Sequence, residues 1–239
     1  MFYFWDPTFL LLIPAMLLAV WAQVKVKSAY AKYSKVNVRS GLTGADVAQL
    51  ILQDAKIPIS NNAQSYPSNV ACGLACIPGR MTDHYDPRTR VLNLSEDVYY
   101  GRSIAALGIA AHEVGHAIQH ARLYSPLALR NIVYPVCNIG STLAFPLFFI
   151  GFLVHFGVLM QLAVVLFTLA VFFTVLTLPV EFNASRRALL ALSHGGYLEA
   201  EELAGARKVL SAAAMTYVAA AAMAILQLVR MLILSRGRN

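Results

Sequence analysis

The residues best able to do chemistry lie in Ala110-Ala111-His112-Glu113-Val114-Gly115-His116-Ala117-Ile118-Gln119-His120. This run contains His-Glu-x-x-His. On an α-helix, residues four apart stand one turn above each other, so the imidazoles of His112 and His116 can converge on one ion. A catalytic zinc takes three protein ligands and keeps a position open for water. Glu113, beside the first histidine, is placed to take a proton from that water. The plainer alternative is a helix whose histidines bond one another or face lipid headgroups. Against it, Ser103 offers an N-cap and the stretch from Ile104 to Ala121 is rich in Ala, Leu and Ile without Pro, so the spacing predicts one continuous helix.

The rest of the chain must position these residues, and its composition points to a bilayer. Hydrophobic residues make up 58% and charged residues 13%, whereas soluble domains carry roughly a quarter charged residues. Three stretches are free of charge: Pro7 to Val24, Ile132 to Val180 and Val209 to Val229. One span needs about 20 residues. As a single helix the middle stretch would run roughly 74 Å, more than twice a hydrocarbon core of about 30 Å. It is therefore expected to fold back near Val154-His155-Phe156-Gly157. Four transmembrane helices follow, at about 7–24, 132–154, 158–180 and 209–234, with polar segments 25–131 and 181–208 between them. No repeat or linker divides the chain, so residues 1–239 read as a single membrane-embedded unit.

Orientation comes from Lys and Arg, which concentrate on the cytoplasmic side of span ends. Lys25, Lys27, Lys32, Lys35 and Arg39 follow the first span, Arg122 and Arg130 precede the second, and Arg186 and Arg187 follow the third. The N-terminal six residues and the hairpin turn have no Lys or Arg, while Arg236 and Arg238 dissent at the C-terminus. Both polar segments are expected in the cytoplasm of a multi-pass cell-membrane protein. The first span has no basic n-region or small-x-small cleavage site and reads as a retained anchor. The net charge of +7 suits anionic headgroups. Nucleic acid is not expected as a partner, because the basic residues are spread along span flanks with no binding module. Cys72 and Cys76 lack a second pair at zinc-site spacing and read as two packed thiols.

Between the first span and the motif, Thr43-Gly44-Ala45-Asp46 opens a short helix that ends before Pro58, and Ile59 to Asn69 is loop-like. Strand character over Val70 to Ile77, Arg80 to Tyr85 and Arg90 to Leu94, with the turn signal Asp86-Pro87-Arg88-Thr89, predicts a small β-hairpin before the motif helix. Ser95 is expected to cap a short helical turn. An exposed strand edge beside a metal can align a peptide backbone by strand addition, although the hairpin can equally be packing for the helix. His84 or Tyr85 in this hairpin could stabilise an oxyanion.

A third ligand is still needed. The extended motif would require Gly at 119 and His at 122, but the chain has Gln119 and Arg122. His120 would form a row roughly 12 Å long with the other two, too extended for one tetrahedral ion. Two crossings after His116 return the chain to the same side at Glu181, which is the favoured ligand, with His194 and His84 in reserve.

These residues carry a resemblance to the YugP-type membrane zinc metallopeptidases over nearly the whole chain. It rests on Thr82-Asp83-His84-Tyr85-Asp86-Pro87, Leu92-Asn93-Leu94-Ser95, the Ser103 to His120 helix, Leu178-Pro179-Val180-Glu181-Phe182-Asn183-Ala184-Ser185 and Ala214-Met215-Thr216-Tyr217. More distantly the chain is similar to the HtpX and CAAX endopeptidases, which place a ligand Glu in Glu-Phe-x-Ala-Asp. That likeness also implies Glu181 as the third ligand. Ser185 stands where those families have Asp, so Asn183 or an acid of the hairpin is expected to orient a histidine in its place.

The sequence thus predicts a mainly α membrane protein with four transmembrane helices, a zincin-like His-Glu-x-x-His helix and a small β-hairpin on the cytoplasmic side. Its expected activity is zinc-dependent endopeptidase, with Zn2+ on His112, His116 and Glu181 and with Glu113 as general base. Its partners are a protein or peptide substrate and the lipid bilayer, and no particular membrane-protein partner is indicated. The choice of peptide over another amide or ester rests on the resemblance. The rival is a non-catalytic metal-binding adaptor or chaperone that keeps the fold, which would have no need of an acid beside its ligand. A metal transporter fits less well, because the three charge-free stretches hold no His, Asp, Glu, Lys or Arg apart from His155 at the turn.

Overall fold

The structure is a computed structural model that describes residues 7–60 and 71–236. The expected loop beyond Ser60 and the first residue of the first expected strand lie outside the described residues, as do 1–6 and 237–239. Among the described residues the order is α1 (Ile13–Tyr33), α2 (Gly44–Asp54), β1 (Gly73–Ile77), β2 (His84–Asp86), β3 (Val91–Ser95), α3 (Glu96–Tyr99), α4 (Ile104–Ala121), α5 (Ser125–Leu153), α6 (Gly157–His194) and α7 (Ala200–Arg236). A 3-10 turn, Pro7–Leu12, leads into α1. Four helical segments, Pro7–Tyr33, α5, α6 and α7, are long and apolar enough to cross a membrane.

The chain divides into two compact units. The first holds residues 7–24, 129–179 and 215–236. Its core is formed by Ala144 and Phe148 of α5, Met160, Ala163 and Phe167 of α6, and Met231 of α7. Many of its large apolar side chains face outward, Ile132 at 74% and Phe149 at 62% exposure among them, as expected where the surrounding solvent is lipid. α5 and α6 meet at the expected place. His155 takes a left-handed φ of 55° in the turn between Leu153 and Gly157.

The second unit holds residues 25–128 and 180–214. α2 starts with a complete capping box: Thr43 Oγ1 accepts from the Asp46 N–H at 3.1 Å, and Asp46 Oδ2 accepts from the Thr43 N–H at 2.9 Å. One face of α2 (Val47, Ala48, Ile51, Leu52) is buried, and it joins Leu92 and Leu94 of β3 and Leu107, Ala111 and Val114 of α4 in one core.

The expected hairpin is present as β2 antiparallel to β3, with Tyr85 opposite Leu92. It is part of a larger sheet, because β1 runs parallel to β3 on the other side, in the order β1-β3-β2. Hairpin signals are local, whereas a parallel strand is recruited across a connection and leaves no turn signature.

Three expectations change. Ser95 stands at the N-cap position of α3 but makes no side-chain capping bond: its Oγ donates to the Asp83 carboxylate at 3.0 Å, and its N–H also bonds Asp83 Oδ1 at 2.7 Å. The span expected at 158–180 is part of a longer helix, because α6 continues through Pro179 to His194. An interior Pro removes one donor and leaves the rest of the ladder intact, which membrane helices tolerate. The cysteines are not two packed thiols either: Cys72 is buried, its thiol pushed up to about 12 by that burial, whereas Cys76 is exposed.

Candidate metal centre

α4 is fixed at its start by Ser103, whose Oγ accepts from the Ala106 N–H at 3.2 Å. Its periodicity then sets His112 and His116 on one face, with ring centroids 4.8 Å apart and planes nearly perpendicular at 86°. Between them stands Gly115. A Cβ there would lie 2.6 Å from the Ala184 carbonyl oxygen of α6, so only glycine lets the two helices come this close.

That approach brings Glu181 to the histidines. Its Oε2 lies 3.3 Å from His112 Nε2 and 3.6 Å from His116 Nε2, and ligand atoms of the three residues all fall within 4.8 Å of one another. Metal-to-ligand bonds of about 2.0–2.1 Å at tetrahedral angles put neighbouring ligand atoms roughly 3.3–3.4 Å apart, close to the two distances from Glu181 Oε2. Glu181 is 4% exposed and its Oε2 accepts no hydrogen bond among the described residues. A buried carboxylate oxygen without a donor is costly unless a cation completes it. Two imidazoles and one carboxylate are a donor set that suits zinc.

The far side of each imidazole is held by a neutral group. Gln119, fully buried, donates through Nε2 to the Val180 carbonyl at 2.8 Å and to Asn183 Oδ1 at 3.0 Å. Its Oε1 therefore faces His116 Nδ1, 3.1 Å away. An amide oxygen can only accept, so Nδ1 carries the proton and the Nε2 lone pair points toward Glu181. Ser185 Oγ lies 3.1 Å from His112 Nδ1. The Ser185 hydroxyl, rather than Asn183 or an acid of the hairpin, thus makes the contact.

The other candidate partners are engaged elsewhere. Asn183 Oδ1 accepts from Gln119 and, at 2.7 Å, from Arg187 Nε. In the hairpin, Asp83 is bound to Ser95, and Asp86 accepts from the Arg88 N–H and Thr89 Oγ1. In the sequence Gln119 stands out only as a departure from the extended motif. Its spacing, three residues after His116 on one helical face, was the available signal.

Glu113 is buried on the same helix, and its Oε2 accepts from the Tyr85 backbone N–H at 3.0 Å. Burial pushes its pKa above the ordinary carboxylate value, against the pull of His112 and His116. Burial alone would lower His116. The Glu181 carboxylate, with the charge of Glu113 added, raises it instead. The pocket is therefore electronegative, which favours a cation.

The remaining candidates fall outside this cluster. His84 is exposed, with Nδ1 2.7 Å from the Thr82 carbonyl and Nε2 3.3 Å from Asn93 Nδ2. His194 is exposed at the end of α6. The Tyr85 hydroxyl is 2.8 Å from His120 Nδ1, and burial pushes its pKa up.

The fold and site thus combine four helices long and apolar enough to cross a membrane with a His-His-Glu group able to hold a metal. The chain belongs to the zinc metallopeptidase family described as "putative neutral zinc metallopeptidase", which it matches over residues 8–236. It is also 47% identical over 230 residues to the "Putative membrane protease YugP" of Bacillus subtilis (strain 168), covering 96% of this chain and 97% of that protein. No solved structure matches.

Proposed function

We propose that the protein is a membrane-embedded zinc endopeptidase whose site faces the cytoplasm. The observation that carries this reading is Glu181 Oε2, buried without a hydrogen bond between two imidazole Nε2 atoms. His112, His116 and Glu181 hold the zinc, which when bound supplies a Lewis acid that polarises a scissile carbonyl and acidifies water. Glu113 takes the proton from the attacking water and delivers it to the departing amine as the C–N bond breaks. The Tyr85 N–H holds the Glu113 carboxylate in place, while Gln119 and Ser185 fix the two imidazoles. β2 has a strand partner on one side only among the described residues, and a peptide backbone aligns along it.

In this reading the polar segments 25–131 and 181–208 lie in the cytoplasm, which the Lys and Arg at the span ends support, and the whole chain works as one membrane-embedded unit. Substrates are proteins or peptides. The testing experiment is bound-metal analysis of the purified chain beside Glu181→Ala, followed by exposure of the intact chain and Glu113→Gln to a proteome-derived peptide library. Stoichiometric zinc with no peptide cleaved would move the reading to a metal-binding adaptor.

A further inference from the structure

α6 and α7 are joined by the short segment 195–199, in which Gly196 takes a φ of 66°. Between the two helices lies a groove of about 440 Å³, within the roughly 300–1,000 Å³ range of small-ligand clefts. α7 contributes Leu203, Arg207 and Ser211, one face at steps of four residues. From α6, Arg186 faces the same space, flanked by Ser185 and Ser193. Both arginines are exposed, and neither meets a carboxylate among the described residues.

Two like charges directed at one groove without a counterion favour an anion between them. The walls narrow the choice of anion. Phe182 lines the membrane end of the groove and remains 46% exposed, so a small soluble anion would leave apolar surface in water. Phe182 stands two residues past the end of the charge-free stretch of α6, the level at which aromatic and basic side chains meet headgroups. Basic clefts between membrane helices suit anionic lipid headgroups.

We propose that this groove binds one anionic phospholipid of the leaflet at which α6 leaves the bilayer. The phosphate lies between Arg186 and Arg207, with Ser211 able to donate to it, and an acyl chain covers Phe182. Ser185 belongs both to the groove and to the His112 contact, which puts the lipid one hydrogen bond away from the metal centre.

The test uses the full chain in phosphatidylcholine nanodiscs doped with phosphatidylglycerol, with lipid retention read by native mass spectrometry. The intact protein should retain phosphatidylglycerol selectively. Each arginine is worth about five-fold, so Arg186→Gln with Arg207→Gln should weaken retention about thirty-fold, and the corresponding Lys pair should restore most of it. Lys32→Gln with Lys35→Gln removes the same charge outside the groove and should leave retention nearly unchanged. No preference for phosphatidylglycerol in the intact protein, an equal loss in both Gln pairs, or displacement of the lipid by a soluble acidic peptide would each overturn the proposal.

Discussion

The backbone N–H of Tyr85, in edge strand β2, donates to Glu113 Oε2 across 3.0 Å. The sheet thereby orients an acid of the motif helix through the main chain, independently of the Tyr85 side chain. Tyr85→Ala keeps this donor and Tyr85→Pro removes it. A hydrogen bond to a charged group is worth about 1.5–3 kcal/mol, so Tyr85→Pro should have at least about ten-fold lower kcat than Tyr85→Ala, at equal zinc content. Equal rates for the two variants would remove the N–H from the account.

Gln119 and Ser185 should reveal themselves in zinc affinity. Loss of a group that orients a metal-bound imidazole typically costs about 10- to 100-fold, and both Gln119→Ala and Ser185→Ala should fall in that range in chelator competition. Ser185→Asp should bind zinc more tightly than the intact chain, because a carboxylate makes His112 a stronger donor. Weaker binding by Ser185→Asp would contradict this reading of the His112 contact.

Much of this centre was legible in the sequence, since His112, Glu113 and His116 share one helix and its spacing is a local property. Glu181 could be reached by counting membrane crossings or through the resemblance, not from the helix spacing. The Ser185 contact to His112 was not legible, because it depends on how closely α4 and α6 approach, which Gly115 permits but does not announce. For the same reason β1 was expected as a strand while its parallel pairing with β3 was not.

Sidedness can be read by cysteine labelling in intact cells, in a background without Cys72, Cys76 and Cys137. A reagent unable to cross the membrane should reach a cysteine placed at His155 and should not reach one placed at Lys35 or Glu199. Labelling at Lys35 would place the site on the outer face.

The Thr43–Asp46 capping box should make α2 sensitive to acid. The Thr43 backbone and side-chain hydrogen bonds hold the Asp46 pKa below its ordinary value. A depressed carboxylate stabilises the fold above its unfolded pKa of about 3.9, and that contribution is lost as pH falls through the lower folded value. Thr43→Ala should cost about 1 kcal/mol near neutrality and flatten the acid dependence, measured as amide exchange in α2. An unchanged acid profile in Thr43→Ala would show that the box contributes nothing there.

The most direct test of the central claim is Glu113→Gln, assayed for zinc and for peptide hydrolysis in the same preparation. Glu113 has no place among the three groups that could hold the metal, so its zinc content and folding should match the intact chain. Hydrolysis should fall about 100- to 10,000-fold, the usual worth of a general base. A Glu113→Gln protein that retains zinc and cleaves peptides as fast as the intact chain would contradict the account.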